Sequence, residues 1–324
     1  MSDRERHLVT GANGQDGSYL VARLIAAGHE VHAMVHSADG LDRLVSEHPG
    51  AIGHVADLSD SPTIGRLVAE VAPTHIYNLA GNTSVARSWD HPAETADVLG
   101  LGPVRLFEAA WRLHAAGESI RVLQASSAEI FGDAVEVPQV ETTARRPVTP
   151  YGAAKSFAHE MAGIYRARGM HVSAAILYNH ESPRRPASFV AKKIAIAVAE
   201  ISVGLRDELI LGNIDVHRDW GYAPDYVDAM IRILEQPAAA DYVVATGEAH
   251  SVREFVGESF RHVGIAEWER HVRIDPALYR PADPLQLVGD PSRLRSIGWR
   301  PSVGFAELVG TMIDAELDRL RAST

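Results

Sequence analysis

Three residues in the middle of the chain have the chemical types and spacing of an acid–base site. Tyr151 and Lys155, in the stretch YGAAK, are four residues apart, so a helix would place both side chains on one face. A lysine ammonium beside a phenol favours the phenolate, and we therefore expect Lys155 to lower the pKa of Tyr151. Upstream, Ser127 closes the apolar run RVLQASS and can bond a substrate oxygen. These residues indicate hydride transfer between an alcohol and a ketone, with Tyr151 exchanging the hydroxyl proton and Lys155 also holding a cofactor ribose.

A carboxylate stands beside this set. Glu129 follows Ser127 by two residues, where the apolar run opens into small polar residues. Interconversion of an alcohol and a ketone does not require a carboxylate there. A ketone does acidify the hydrogen on the neighbouring carbon, and a positioned carboxylate can then remove that hydrogen. The alternative is that Glu129 is a solvated loop residue.

A glycine-rich stretch near the amino terminus predicts a dinucleotide site. TGANGQDG places Gly11, Gly14 and Gly17 between an apolar strand and a helix. Glycines let the backbone turn tightly and approach a pyrophosphate, which the helix N-terminus then faces; the alternative is a plain tight turn. Asp57 can bond the adenine amino group or belong to a helix N-cap region, and both interpretations stay open. The other residues predicted to line the cofactor from this loop and from later strand ends are Asn13, Gln15, Asp16, Leu58, Leu79 and Ala80.

The end of the second strand favours NADP over NAD. NAD-binding units often place an acid there to bond the ribose hydroxyl, but the spacing from Gly17 puts Val35 at that position. Without an acid, a 2′-phosphate meets no repulsion, and His36, Ser37 or Arg43 can bind it. We expect Asp39 to lie in the following loop. The alternative is that Asp39 bends back to the ribose and the protein uses NAD.

Strands and helices alternate through the first half of the chain, which predicts parallel βαβ units. We expect an α/β fold with a Rossmann-type doubly wound parallel sheet. Residues 1–180 would form the NADP-binding domain with the catalytic residues. Residues 181–324 would form a smaller α/β substrate-binding lobe, with a soft boundary and a last helix that can pack back on the first lobe.

Composition excludes several classes of function. The 324 residues carry a net charge of -11, and such an acidic surface argues against nucleic-acid binding. The chain contains no cysteine, so disulfides are excluded. We find no apolar leader and no apolar run that would span a membrane, and we expect a cytoplasmic protein. The sixteen histidines form no HExxH or Cys/His spacing, so we expect no metal.

Eight stretches resemble, in order, the GDP-mannose 4,6-dehydratase family of the extended short-chain dehydrogenase/reductase superfamily. They are TGANGQDGSYL, YNLAG, QASSAEIFG, TPYGAAK, LYNHESPRR, RDWGYAPDYVDAM, ATGEAHSVREF and YRPAD. The resemblance runs from Leu8 to beyond Trp299. GQDGSYL and NHESPRR are highly specific, whereas YGAAK marks only the superfamily.

The resemblance implies a reaction that needs Glu129. A hexose is oxidised at C4, Glu129 removes the C5 hydrogen and passes a proton to the leaving 6-hydroxyl, and the stored hydride returns to C6. The implied product is a 4-keto-6-deoxy sugar made from GDP-mannose, with NADP unchanged overall. The resemblance also implies a homodimer or homotetramer.

The resemblance also implies positions around the ligands. His180 and Arg185 would lie on the cofactor side, where we expect His180 to make a structural hydrogen bond; the Arg184–Arg185 pair is similar to a stretch that reaches a neighbouring subunit. The substrate would be held by Thr83, Ser84, Ser127, Glu129, Asn179, Lys193, Arg218, Arg280 and Asp283.

Departures from the family pattern leave alternatives open. The chain reads AGNTSV where family members often read GAQSHV, so Thr83 and Ser84 can select a hexose other than mannose. A GDP-sugar 4-epimerase or 4-ketoreductase would use the same scaffold without needing Glu129 as a base. A non-catalytic NADP-binding regulatory protein is a third interpretation, which the complete set of Ser127, Tyr151 and Lys155 disfavours.

Overall fold

The computed structural model describes residues 5–279 and 286–322. Its first half alternates strands and helices, as the apolar periodicity predicts. The strands are β1 (Arg6–Thr10), β2 (Glu30–Val35), β3 (Ile52–Val55), β4 (His75–Asn78), β5 (Arg121–Ser127) and β6 (His171–Leu177). The helices are α1 (Gln15–Ala26), α2 (Ala38–Glu47), α3 (Ser61–Val71), α4 (Val85–Asp90), α5 (Pro92–Ala96), α6 (Gly102–Ala115) and α7 (Pro150–Ala167), and a π-helical turn over Asp97–Leu101 joins α5 to α6.

The second half has shorter strands. They are β7 (Asn179–Glu181), β8 (Leu209–Leu211), β9 (His217–Tyr222), β10 (Asp241–Val244), β11 (Ala249–Ser251), β12 (Val272–Ile274) and β13 (Gln286–Leu287). The helices are α8 (Val190–Ser202), α9 (Ala223–Glu235), α10 (Val252–His262), α11 (Ser292–Ser296) and α12 (Phe305–Ala322).

The main sheet is parallel and doubly wound, which confirms the predicted fold class. Within the described residues its order is β10-β6-β5-β4-β1-β2-β3, so the direction of winding reverses between β1 and β4. Helices α1 and α9 pack on one face, and α3, α6 and α7 pack on the other. Coverage of both faces explains why strands such as β1 read as apolar runs. Ligands of such folds bind at the carboxyl ends of the strands beside the reversal.

A second lobe forms around β9, which pairs with β7, β11 and β13. Helices α8, α10 and α12 bury their apolar faces against one another and against this small sheet. The last helix therefore packs inside the second lobe and not back on the first. No helix in the described ranges is long and apolar enough to cross a bilayer.

The chain returns to the main sheet after residue 180. Strand β10 pairs with β6, with Asp241 opposite Ala174, and α9 packs against α1. A single division at residue 180 therefore does not separate the two lobes. Apolar periodicity identifies a strand but does not reveal which sheet that strand joins, and this is why the predicted boundary differs from the structure.

Candidate active site

The end of β5 and the start of α7 bring the acid–base residues together. Ser127 is the last residue of β5, and Glu129 lies in the 3-10 turn that follows. Thr149 caps the N-terminus of α7 by accepting a hydrogen bond from the Gly152 amide at 2.9 Å, and so places Tyr151 in the first turn. One cavity of about 190 Å³ is lined by Ser127, Glu129, Tyr151 and Lys155.

Gly152 lets α7 approach the turn that carries Glu129. A Cβ atom on Gly152 would lie 2.5 Å from the Glu129 carbonyl oxygen, closer than a side chain can tolerate. The backbone amide of Tyr151 donates to the Ser88 hydroxyl at 3.2 Å, which fixes the helix from its other side. The small residue inside YGAAK is therefore what allows the helix and the strand end to share one cavity.

Burial shapes the charges of the catalytic pair. It raises the pKa of Tyr151 to about 12, although a hydrogen bond with Ser127 acts to lower that pKa. Burial lowers the pKa of Lys155 to about 8. The Lys155 Nζ lies 5.9 Å from the centroid of the Tyr151 ring and donates to the Ala125 carbonyl at 2.9 Å. The expectation that Lys155 lowers the pKa of Tyr151 is not met, because burial dominates and the ammonium bonds the backbone.

The glycine-rich loop forms a cradle that fits a pyrophosphate. Gly11 has φ +68°, and a Cβ atom on it would lie 2.9 Å from the backbone of Ala80. A Cβ atom on Gly17 would lie 2.2 Å from the Gly11 carbonyl oxygen. Helix α1 begins after Gly14 without a side-chain cap, so its first amides can meet an anion. A cavity of about 500 Å³ follows, lined by residues that include Gly11, Asn13, Gly14, Gln15, Asp16, Gly17, Val35, His36, Asp57, Leu58, Leu79, Ala80 and Arg185.

The region after β2 fits a 2′-phosphate better than a ribose hydroxyl. Val35 is buried and His36 lines the cavity, so the strand ends without an acid. The Arg43 guanidinium donates to the Asn13 carbonyl at 2.7 Å, which holds a positive charge beside the glycine-rich loop. Asp39 lies in the first turn of α2 and not in a loop, because Ser37 caps that helix by accepting from the Gly40 amide at 3.2 Å.

Asp57 lines the same cavity but does not cap α3. Its Oδ1 accepts hydrogen bonds from the amide and the hydroxyl of Ser59, both at 2.8 Å. The N-cap of α3 is Asp60, whose carboxylate accepts from the Thr63 amide at 3.1 Å. Of the two interpretations of Asp57, the structure therefore removes the N-cap and leaves its place in the cofactor cavity.

The two most specific stretches of the sequence interlock through side-chain hydrogen bonds. Gln15 donates to the His180 carbonyl at 3.0 Å and accepts from the Ser182 hydroxyl at 2.9 Å. The His180 Nε2 lies 2.9 Å from Asp16 Oδ2, and Nδ1 donates to the Tyr178 carbonyl at 2.7 Å. Burial acts to lower the pKa of His180, but the Asp16 carboxylate outweighs it and raises that pKa. His180 therefore makes the structural contact expected of it and links the glycine-rich loop to β7.

Comparison with known proteins identifies the family. The family described as GDP-mannose 4,6 dehydratase matches residues 8–312. The chain is 43% identical to GDP-mannose 4,6 dehydratase 1 of Arabidopsis thaliana, over 97% of this chain and 90% of that protein. The chain belongs to the GDP-mannose 4,6-dehydratase family. This confirms the predicted family and the predicted class of enzyme, a hydro-lyase.

Solved structures similar to this family member hold dinucleotides. The UDP-glucose 4-epimerase of Thermus thermophilus, in complex with NAD, has a TM-score of 0.84 and 29% identity, over 96% of this chain and 98% of that one. RMD from Pseudomonas aeruginosa, complexed with NADPH, has a TM-score of 0.80 and 27% identity, over 97% of this chain and 99% of that one.

The catalytic cavity of this dehydratase-family chain contains a further charged pair. The Arg185 Nε lies 2.9 Å from Glu181 Oε2, and the guanidinium lies over the Phe189 ring, 3.8 Å from its centroid. Glu181 is only 2% exposed, and burial raises its pKa. Arg185 also lines the cofactor cavity, as do Asp16, Leu79 and Thr83, so the two cavities adjoin. Arg184 bonds Glu47 of its own chain.

Most of the predicted substrate residues line the catalytic cavity, and one does not. Thr83, Ser84, Asn179 and Arg218 line it. Lys193 is half-buried on α8 and is not among the lining residues; its neighbour Lys192 pairs with Glu316 in the second lobe. Arg280 and Asp283 lie outside the described residues. Lining residues that the sequence analysis missed include Tyr178, Ser188, Phe189 and Leu287. The first three flank NHESPRR, and that closeness could have indicated them.

Proposed function

We propose that the protein is an NADP-dependent nucleotide-sugar 4,6-dehydratase that converts GDP-mannose to GDP-4-keto-6-deoxymannose with loss of one water. The observation that supports this most directly is the position of Glu129, in one cavity with Ser127, Tyr151 and Lys155. When bound, NADP supplies the hydride acceptor for C4 and the hydride donor for C6. The cradle formed by the glycine-rich loop and Arg43 fits that cofactor with its 2′-phosphate.

Tyr151 takes the proton of the sugar 4-hydroxyl. The Ser127 hydroxyl bonds Tyr151 and acts to lower the pKa of that phenol, which burial holds near 12. Ser127 is placed to hold the C4 oxygen, and the Lys155 ammonium is fixed close by on the Ala125 carbonyl. Their arrangement supports oxidation at C4 without a solvent-borne base.

Glu129 removes the C5 hydrogen once C4 is a ketone. Its amide lies 3.3 Å from the Ser127 hydroxyl oxygen, so the two residues hold one compact turn at the end of β5. The proton that Glu129 takes from C5 is then available to the 6-hydroxyl, which leaves as water. Loss of water across C5 and C6 leaves a 4-keto sugar with a C5–C6 double bond. The reduced cofactor would supply a hydride to C6 while C5 takes up a proton that exchanges with solvent, which gives the 4-keto-6-deoxy sugar.

Arginines and small hydroxyl residues surround the space for the rest of the substrate. Arg185 and Arg218 line the cavity, and guanidinium groups match diphosphate oxygens in pairs. Thr83 and Ser84 line its other part and are placed to contact the hexose. The Ser84 hydroxyl already accepts from the Arg87 amide at 3.2 Å as the N-cap of α4, so Thr83 is the better placed of the two to select the sugar.

Turnover of GDP-mannose in deuterated water tests this function. We expect one solvent deuterium at C5 of a 4-keto-6-deoxy product, with no net consumption of NADPH, because the hydride moves from C4 to C6 within the site. Glu129→Gln keeps the size of the side chain but removes the base, so it should stop both deuterium entry and water loss. Glu160→Gln, on the exposed face of α7, is the matched control. Stoichiometric NADPH consumption, or a C4-inverted sugar that keeps its 6-hydroxyl, would show a reductase or an epimerase instead.

We propose that the functional unit is a homodimer formed by α7 and the π-helical turn over Asp97–Leu101. Phe157 and Ile164, seven residues apart on α7, are 45% and 51% exposed, and Leu101, in the turn that contacts α7, is 46% exposed. Large apolar side chains clustered in this way are typical of subunit contacts. Light scattering of the purified protein measures the mass, and a homotetramer would require a second contact. The cytoplasmic location stays a prediction.

A further inference from the structure

Three side chains that can bind a metal ion meet at the edge of the main sheet opposite the active site. Glu5 precedes β1, His7 lies in β1, and His75 is the first residue of β4. Because β1 and β4 are parallel neighbours, His7 and His75 are partners in register and project side by side. The active site lies at the carboxyl ends of these strands, and this cluster lies at the amino ends.

The distances within the cluster suit a tetrahedral ion. One ligand atom from each of the three residues lies within 4.8 Å of the others. The Glu5 Oε2 is 3.3 Å from His7 Nε2 and 3.4 Å from His29 Nδ1. A tetrahedral zinc ion with bonds of about 2.1 Å separates its ligand atoms by about 3.4 Å. The 3.3 Å between the Glu5 carboxylate and His7 therefore matches the spacing of two ligands on one zinc ion.

The surroundings of His7 and His75 hold both rings beside a cavity. His7 is 3% exposed, and its Nε2 is the nitrogen that faces the Glu5 carboxylate. The Thr74 hydroxyl lies 3.0 Å from His75 Nδ1, an outer contact of the kind that orients metal-binding imidazoles. A cavity of about 470 Å³ opens beside His7, His29 and His75.

The charge state of the cluster suits a cation more than an anion. Glu5 provides one carboxylate at the cavity. Glu235 adds a second carboxylate to the cavity. Arg121, the other charged lining group, donates to the carbonyls of Leu234 and Gln236.

We propose that Glu5, His7 and His75 bind one zinc ion. Imidazole and carboxylate are ligands that Zn²⁺ accepts in tetrahedral sites. The rings of His7 and His75 are stacked with 4.6 Å between their centroids, so binding requires the rings to rotate toward the Glu5 carboxylate. The site holds the amino ends of neighbouring strands together and takes no part in the sugar chemistry.

Metal titration of the full chain tests the proposal. After treatment with a chelator and its removal, the protein should bind one equivalent of Zn²⁺ by calorimetry. Co²⁺ in its place should give the ligand-field absorption of a four-coordinate ion. His7→Gln and His75→Gln should each weaken binding at least about ten-fold. His171→Gln is the matched control, because His171 begins β6 at the same edge, two strands away from β4, and lies outside the cluster.

Two outcomes would overturn the proposal. One is that the wild-type protein binds no stoichiometric Zn²⁺ or gives only the spectrum of six-coordinate Co²⁺. The other is that His7→Gln and His75→Gln bind Zn²⁺ as tightly as the wild type does. NADP binding serves as the measure of folding in every variant, since the cofactor cavity lies at the other edge of the sheet. If either variant loses NADP binding, Glu5→Gln, which alters a side chain at the surface, provides the same comparison.

Discussion

At the scale of single residues, burial acts in opposite directions on the two central side chains. It raises the pKa of Tyr151 to about 12 and lowers that of Lys155 to about 8, so it favours the uncharged form of both. The hydroxyl of Ser127 is the neighbour that works against burial at Tyr151. We therefore expect the C4 proton transfer that we propose for Tyr151 to depend on its contact with Ser127.

Tyr151→Phe should lower turnover by about 10²–10⁴-fold, because it removes the group that accepts the 4-hydroxyl proton. Binding of GDP-mannose should stay within about two-fold of the wild type, since the ring and its packing remain. Steady-state kinetics and calorimetry measure the two effects. Tyr165→Phe, a second buried tyrosine on α7, is the control. Wild-type turnover in Tyr151→Phe would assign the proton transfer to another residue.

Arg43→Gln should weaken NADP binding by about ten-fold and leave NAD binding nearly unchanged, because the guanidinium lies beside the loop that receives the phosphates. Direct titration of both cofactors measures this. Arg66→Gln on α3 is the matched surface control. If the wild-type protein binds NAD as tightly as NADP, the assignment to the 2′-phosphate is wrong, and Asp39 becomes the residue to test.

At the scale of elements, the active site depends on how closely α7 approaches the end of β5. The contact is backbone to backbone at Gly152, where added volume cannot be moved aside as a flexible side chain could. The second glycine within α7, Gly163, has open space around it: no atom would lie within 4 Å of a Cβ atom there. One helix thus contains a glycine that the packing requires and a glycine that it does not.

Gly152→Ala should destabilise the protein by about 1–3 kcal/mol and reduce turnover, because the new methyl group displaces Glu129. Gly163→Ala should instead stabilise the protein by about 0.5–1 kcal/mol, since alanine loses less backbone freedom on folding. Urea denaturation measures the stability of both variants, and the dehydratase assay measures the turnover of Gly152→Ala. Equal behaviour of the two variants would contradict the role given to the Gly152 contact.

At the scale of the whole molecule, buried histidines along the amino edge of the sheet connect stability to pH. Burial lowers the pKa of His7 to about 3 and that of His171 to about 4, from an ordinary value of 6.5. The unfolded chain therefore takes up protons below pH 6.5 that the folded chain refuses. Their contribution to stability is complete above pH 6.5 and is lost as the pH falls toward 4 and then 3.

The free energy of unfolding should thus fall between pH 7 and pH 5, by up to about 1.4 kcal/mol per pH unit for each such histidine. Urea denaturation in the presence of a chelator measures it without interference from bound metal. His7→Gln should make the dependence shallower, and His114→Gln on α6 should leave it unchanged. A dependence as steep in His7→Gln as in the wild type would rule out His7 as a source.

Features that short stretches of chain impose could be predicted from the amino-acid sequence. The spacing of Gly11, Gly14 and Gly17 indicates a phosphate cradle, because only glycine can occupy such tight backbone contacts. The four-residue spacing of Tyr151 and Lys155 is set by the helix alone. Together with the ordered stretches around Glu129, these features were sufficient to predict the fold class, the family and about half of the residues that line the two cavities.

Contacts between residues far apart in the chain could be identified only from the three-dimensional structure. Gln15 and Asp16 are hydrogen-bonded to a segment that follows much later in the chain and contains His180 and Ser182. Strand β10 likewise returns to the main sheet after the chain has entered the second lobe. The approach of Glu5 to His75 likewise follows from the register of β1 and β4. The physical reason is that strand pairing and burial are set by the whole fold, whereas sequence spacing constrains only neighbours along one strand, turn or helix.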